Sequence, residues 1–170
     1  TPMMLKILII LLILISAFSL SAKNLGSETG LKIPRFVSLK SENSNLRIGP
    51  SINYPIKLNY VIANIPIEVV DEYKDWRKVN DYEGNIGWLH KSLIKGDRFA
   101  IVSTPYQESA QVFNKPKGET IGKIGKKNIL KINRCLKDWC QIKYDHHKGW
   151  VNKLNLWGVY GSETFHIPFY

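Results

Sequence analysis

The sequence predicts an all-β protein: two small tandem barrels behind an N-terminal apolar helix. Three observations carry this expectation. One pattern of short, strand-like segments occurs twice in 170 residues. No stretch after residue 22 holds a helical period, and the only long apolar run, residues 7–18, is too short for a membrane-spanning helix.

The first element is that run. Lys6 is the one charge before Lys23, the segment from Ile7 to Phe18 is almost unbroken Ile and Leu, and Ser19-Leu20-Ser21-Ala22 supplies small residues at its end. A positive start, an apolar core of about a dozen residues and a small-residue boundary describe a secretory signal peptide over residues 1–22. An uncleaved anchor is the alternative, disfavoured by length and flanks. After cleavage no stable transmembrane segment is expected, and no cysteine stands at the boundary to carry a lipid. Residues 23–34 are expected as a linker, because Asn24, Gly26, Ser27, Gly30 and Pro34 break any periodicity.

The repeat follows. Lys74-Asp75-Trp76-Arg77-Lys78-Val79 matches Lys137-Asp138-Trp139-Cys140-Gln141-Ile142 at an offset of 63. Gly87-Trp88-Leu89 matches Gly149-Trp150-Val151 at an offset of 62, and Leu46-Arg47-Ile48-Gly49-Pro50 aligns with Val112-Phe113-Asn114-Lys115-Pro116. A period near 60 residues means two copies of one small module, here residues 35–98 and 99–160, with 161–170 left as a tail. Within the first copy, Lys57 to Ile62, Ile65 to Tyr73, Trp76 to Asn80 and Asn85 to Leu89 are short and rich in Val, Ile, Tyr and Trp. Asn64, Asp75 and Gly84 punctuate them. Five or six such strands suit a small bent barrel. A module of this size buries only about 60% of its unfolded surface, so the copies are expected to pack on each other across Gly96-Asp97-Arg98.

Asn45-Leu46-Arg47-Ile48-Gly49-Pro50-Ser51, then Tyr54-Pro55-Ile56, the Trp76-x-x-Val79 hairpin and Gly87-Trp88-Leu89 together resemble the bacterial SH3-like domain family. Leu156-Trp157-Gly158-Val159-Tyr160 is similar to the end of tandem versions in alphaproteobacteria. The resemblance spans about Arg35 to Tyr160 and implies SH3-like barrels of an exported, envelope-associated protein. The second copy lacks the Asn-x-Arg-x-Gly-Pro signature, so a role for that arginine does not carry over to it. The Ala-Leu-Tyr-Asp-Tyr run of proline-peptide-binding eukaryotic SH3 domains is absent.

Cys135 and Cys140 are the only cysteines. With His146-His147 they make a Cys-x4-Cys-x5-His-His string, which zinc chemistry would need. A disulfide is preferred: the compartment is oxidising, and the short connection Leu136 to Trp139 sets the two cysteines opposite each other across a hairpin. The same positions in the first copy are Glu72 and Arg77, an opposite-charge pair. A cysteine nucleophile needs a positioned base, and His90, His146, His147 and His166 show no spacing for one. No Gly-x-Ser-x-Gly, His-Glu-x-x-His or phosphate loop is present. The protein is therefore expected not to be an enzyme, and no cofactor or metal is implied.

Charge supplies the binding expectation. The whole chain is +10, and from Lys23 onward it carries 23 basic and 14 acidic residues. Residues 35–98 hold 10 basic and 8 acidic residues, residues 99–160 hold 11 and 4. Export removes nucleic acid as the normal partner and leaves peptidoglycan, an anionic envelope polymer or an envelope protein. Candidate binding residues are Arg47, Tyr54, Tyr60 and Trp76 around the Gly49-Pro50 loop, and Lys123, Lys126 and Lys127 in the basic copy. Each has a structural alternative. Arg47 can satisfy loop carbonyls, the aromatics can fill core and rim, and the lysines can blunt a strand edge. Trp76 and Trp139 are expected to be partly exposed at hairpin ends, Trp88 and Trp150 to be barrel core and rim residues. The apolar tail Phe165 to Tyr170 can fold back or meet a partner. The function expected is non-catalytic periplasmic binding, by family resemblance to peptidoglycan or a wall-associated ligand. An envelope adaptor using a strand edge is the alternative, and a small cell-wall hydrolase is a further one.

Overall fold

A computed structural model describes residues 24–168; the expected signal segment lies outside these, as do Phe169 and Tyr170. Two antiparallel sheets follow one another along the chain. The first contains β1 (Arg35–Leu39), β2 (Ser44–Arg47), β3 (Ile56–Tyr60), β4 (Pro66–Tyr73), β5 (Trp76–Asn80), β6 (Ile86–His90) and β7 (Ile94–Lys95), in the order β3-β2-β6-β5-β4-β1-β7. The second contains β8 (Phe99–Val102), β9 (Ser109–Phe113), β10 (Thr120–Gly125), β11 (Ile129–Cys135), β12 (Trp139–Tyr144), β13 (His147–Asn152) and β14 (Leu156–Trp157), in the order β10-β9-β13-β12-β11-β8-β14. The two orders are the same order displaced by seven strands, so the sequence repeat is a structural repeat. β15 (Phe165–His166) pairs with β11 outside that path.

Local chemistry explains the shared plan. Tyr73 and Trp76 close the β4–β5 hairpin over two residues, with Lys74 at φ +49°, and in the equivalent β11–β12 hairpin Leu136 N donates to the Trp139 carbonyl across Lys137-Asp138. The long strands β4 and β11 each carry an irregularity at the same place, between Val69 and Asp71 and between Ile132 and Arg134. Such bulges bend a strand and let a small sheet curl round its core. Leu39, Leu46, Ile67, Val69, Val79 and Leu89 fill the first core; Val102, Leu130, Ile132, Ile142 and Val151 fill the second.

The repeated Gly-Trp has a packing cause. A Cβ on Gly87 would stand 2.6 Å from Leu46 Cγ and 2.8 Å from the Arg47 carbonyl; one on Gly149 would stand 2.3 Å from Val112 Cγ1. Glycine is what lets β6 approach β2, and β13 approach β9. The tryptophans after these glycines stay within the core-or-rim placement expected of them, beside the central core rather than in the central core. Alternation along the strand gives that place to Leu89 and Val151, while Trp88 is only half-buried and Trp150 is buried outside the main cluster.

The modules pack together through aromatics. Phe36 of β1 meets the rings of Trp157 at 5.1 Å and Tyr160 at 4.7 Å, and Tyr82 meets Trp157 at 5.9 Å. The Tyr160 hydroxyl donates to Glu68 at 2.9 Å. Burial and that carboxylate push its pKa far above the ordinary tyrosine value.

Both terminal segments are tied down. Part of the segment expected as a linker, Asn24–Pro34, folds onto the first module: Leu25 bridges Lys32, and the loop Ser27–Thr29 sits on Glu72. The tail folds back on the second module, Phe165 opposite Cys135 and His166 opposite Arg134. Arg98 clamps it with two hydrogen bonds to Glu163, and its guanidinium lies 4.7 Å from the Phe165 ring centroid. Lys153, half of an equivalent pair with Lys91, donates to the carbonyls of Gly161 and Glu163.

Candidate functional site

The first module carries an open cleft between the loop after β2 and the tip of the β4–β5 hairpin. Its volume is about 660 Å3. Pro50, Ile52 and Tyr54 form one wall; Tyr73, Lys74, Asp75, Trp76 and His90 form the other. The loop wall is built by the signature residues. Arg47 donates to the Tyr54 carbonyl at 2.7 Å, Tyr54 N donates to the Ser51 carbonyl, and Ile48 N donates to Pro55. The Tyr54 ring lies across Gly49, where a Cβ would come within 2.6 Å of it. Arg47 thus satisfies a loop carbonyl and shapes the cleft from behind. Tyr54 is 46% exposed and offers a ring face to whatever enters.

The hairpin wall is held by its own contacts. Trp76, expected to be partly exposed, is only 9% exposed and packs edge-on against His90 at 5.3 Å. Nδ1 of His90 accepts from Ser92 N at 3.3 Å and lies 2.7 Å from the Ser92 hydroxyl. Asp75 pairs with Lys91 at 2.8 Å, and that ammonium holds its carboxyl below the usual carboxylate range. Lys74 lies 5.4 Å from the Tyr73 ring centroid. The cleft therefore presents aromatic faces beside both signs of charge, a lining suited to a sugar ring or a peptide with polar ends.

The second module narrows the same place to about 280 Å3, between Lys117 on the loop and Lys137, Asp138, Trp139 and Asn152 on the hairpin side. By register Phe113 stands where Arg47 does, each opposite the repeat's second tryptophan. Phe113 packs edge-on against Trp139 at 5.1 Å, where Arg47 instead donates to the loop. The loop is also shorter, spanning 114–119 rather than 48–55, and is held by Asn114 through Glu119 N and O.

Of the residues singled out from sequence, Arg47, Tyr54 and Trp76 come together. Tyr60 lies elsewhere. It is 7% exposed, its hydroxyl donates to Asp81 at 2.9 Å, and burial with that carboxylate pushes its pKa far above the ordinary value. Asp81 also accepts from Glu83 N and Asn85 N, which pins the β5–β6 turn; nothing in the repeat pattern pointed to it. Lys123 sits on β10, the edge strand of its sheet. Lys126 and Lys127 form the β10–β11 turn, where Lys127 reaches Glu83 of the first module at 3.6 Å. The three lysines are thus split between an edge and the junction of the modules.

Cys135 and Cys140 are opposite one another in the β11–β12 register and form a disulfide. Glu72 and Arg77 occupy the equivalent register in the first module, 3.5 Å apart. Burial raises the Glu72 carboxyl, but hydrogen bonds from Thr29 Oγ1, Thr29 N, Arg35 and Glu28 N outweigh it and bring the pKa to about 2. Among the described residues, no group of three or more His, Cys, Asp and Glu side chains is placed to hold a metal ion. None of the described helices is long and apolar enough to cross a membrane.

Two curled antiparallel sheets of identical strand order define a tandem of small SH3-like barrels. The bacterial SH3 domain model matches residues 40–96 and 115–158, and the chain belongs to that family. Solved structures to which the chain is similar include NlpC2 from Trichomonas vaginalis, at 13% identity over 73% of this chain and 48% of that one, TM-score 0.31. NlpC1 from the same organism matches at 13% over 78% and 48%, TM-score 0.31. An NlpC/P60 family protein from Bacillus cereus matches at 13% over 78% and 57%, TM-score 0.33. The chain spans about half the length of these proteins. No curated protein matches it in sequence.

Proposed function

We propose that this protein is a non-catalytic binding protein of the periplasm that takes a cell-wall ligand, peptidoglycan or a component attached to it, in the cleft of its first module. The observation that carries the reading is the asymmetry between equivalent places. The first module keeps a cleft of about 660 Å3 with an exposed Tyr54 ring, its loop tied by Arg47, whereas the second, with Phe113 on Trp139 and a shorter loop, keeps about 280 Å3 and has no aromatic ring on its loop wall. The second module, with 11 basic and 4 acidic residues over 99–160, supplies salt-sensitive attraction to an anionic polymer.

The test is co-sedimentation with purified sacculi. The protein is expected to pellet at low salt and to be released as salt rises. Tyr54→Ala should weaken pelleting at least fivefold at fixed salt, and joint reversal of Lys123, Lys126 and Lys127 to Glu should weaken it mainly at low salt. Absence of pelleting at low salt refutes wall binding and leaves an adaptor role, with β3 or β10 adding a partner's strand. Release of soluble muropeptides refutes the non-catalytic reading.

A further inference from the structure

The two barrels differ at a second equivalent place, on the opposite end of the β10 edge. In the first module Leu58 faces Leu46 across β2–β3 and packs against the core. The same register in the second module pairs Gly122 with Val112. The neighbouring inward position is Tyr60 in the first module, tied to Asp81, and Ile124 in the second, with Tyr144 where Asp81 stands. The first module thus plugs this end of its barrel with a leucine and a tyrosine–aspartate hydrogen bond. The second has neither.

What remains in the second module is a cavity of about 230 Å3. Its floor is Val112 and Ile142, both core residues, with Ile121 and Ile124 at the sides. A Cβ on Gly122 would meet nothing within 4 Å, so the place where a leucine side chain would begin is open, with Ile121 reaching over Gly149 beside it. Lys123, His147 and Lys148 stand on the rim, and no carboxylate lines the cavity. At roughly 30 Å3 for each water-sized group, the space holds about seven or eight heavy atoms. Apolar walls with the Lys123 ammonium beside them suit a short apolar chain ending in a negative charge.

We infer that the second module binds a medium-chain carboxylate in the cavity left by Gly122, with its chain over Val112 and Ile142 and its carboxylate at Lys123. This site is separate from the cleft of the first module and needs no wall ligand.

The probe is sodium octanoate, titrated into the full chain and followed by backbone amide NMR shifts. Saturable shifts are expected at residues 121–124, 142 and 147–149, with octylammonium binding at least tenfold more weakly. Gly122→Leu should abolish the octanoate shifts while the protein keeps or raises its Tm, because the added side chain enters open space. Lys123→Gln should weaken octanoate severalfold without changing Tm. Shifts elsewhere, equal binding of octylammonium, or undiminished binding by a folded Gly122→Leu variant would each overturn the inference. Should that variant lose its fold, Gly122→Val is the same test with a smaller side chain, and the wild-type shift map and the octylammonium comparison stand without either.

Discussion

Replacing Glu72 by Gln should remove a pH-dependent part of the stability. The Glu72 side chain is fully buried, yet it is held ionised by Thr29, Glu28 N, Arg35 and Arg77. Its pKa falls from 4.5 to about 2. At about 1.4 kcal/mol per pKa unit, this corresponds to on the order of 3 kcal/mol of folded-state stability at pH 7. The sign follows from the depressed value: the contribution is complete above the unfolded pKa and is lost as pH falls through the folded one. Integrated over that window it is about 3 kcal/mol at pH 7, about 2 kcal/mol at pH 3.5 and below about 1 kcal/mol at pH 2.5. Urea unfolding followed by tryptophan fluorescence gives the wild-type minus Glu72→Gln difference at each pH. The difference should shrink along that curve. Hydrogen exchange should show Glu28 and Thr29 amides losing protection in the variant, since Glu72 is their acceptor. A difference that stays constant from pH 7 to pH 2.5, or one below about 1 kcal/mol at pH 7, would refute the reasoning.

Three further outcomes follow from the packing. Intact-mass analysis without reductant should find no free thiol, and joint replacement of Cys135 and Cys140 by Ser should cost about 2 kcal/mol, the chain-entropy value for so short a loop. Gly87→Ala and Gly149→Ala should each destabilise by roughly 1–3 kcal/mol, measured by urea midpoint, because the added methyl meets the opposite strand. Phe36→Ala should cost roughly 3–5 kcal/mol and split a single calorimetric transition into two, because Phe36 is the ring that both Trp157 and Tyr160 pack against; a single transition with unchanged Tm would show that the modules are not coupled there.

The repeat was legible because it is written in residues that backbone geometry demands. Gly87 and Gly149 are needed for close strand approach, and the β4–β5 and β11–β12 hairpins before them turn at equivalent places, so spacing alone aligned the modules. The Cys135–Cys140 pairing and its Glu72–Arg77 counterpart were legible for the same reason: hairpin register is set by the turn. The sites were less so. Tyr54 and Tyr60 are both tyrosines flanking one loop, and nothing local separates them; only the tertiary partner Asp81 takes Tyr60 into the interior. The lysines 123, 126 and 127 are one cluster in sequence, but the end of β10 lies between them, so they face an edge and a junction. The cavity at Gly122 is visible only when register shows that Leu58 fills its counterpart. Glycine in a strand marks many things.

The equivalent position of Glu72 and Cys135 shows how one fold meets one demand in two ways. In each barrel the far end of the long strand, beyond its bulge, loses the neighbour that pairs its first half: β1 reaches only residue 69 of β4, and β8 reaches only residue 131 of β11. Unpaired backbone there would be a template for foreign strands. The first module covers it with chain from before β1, held by a carboxylate that accepts two backbone N–H groups. The second covers it with chain from after β14, held by strand pairing and by Arg98 on Glu163. A cystine cannot accept those hydrogen bonds, so the second module's cover has to supply its own ladder, and β15 does. A carboxylate can accept them, so the first module's cover needs no strand and remains a loop. The side chain across the hairpin therefore decides which kind of segment can seal the edge. The two termini take different structures at the same place for that reason.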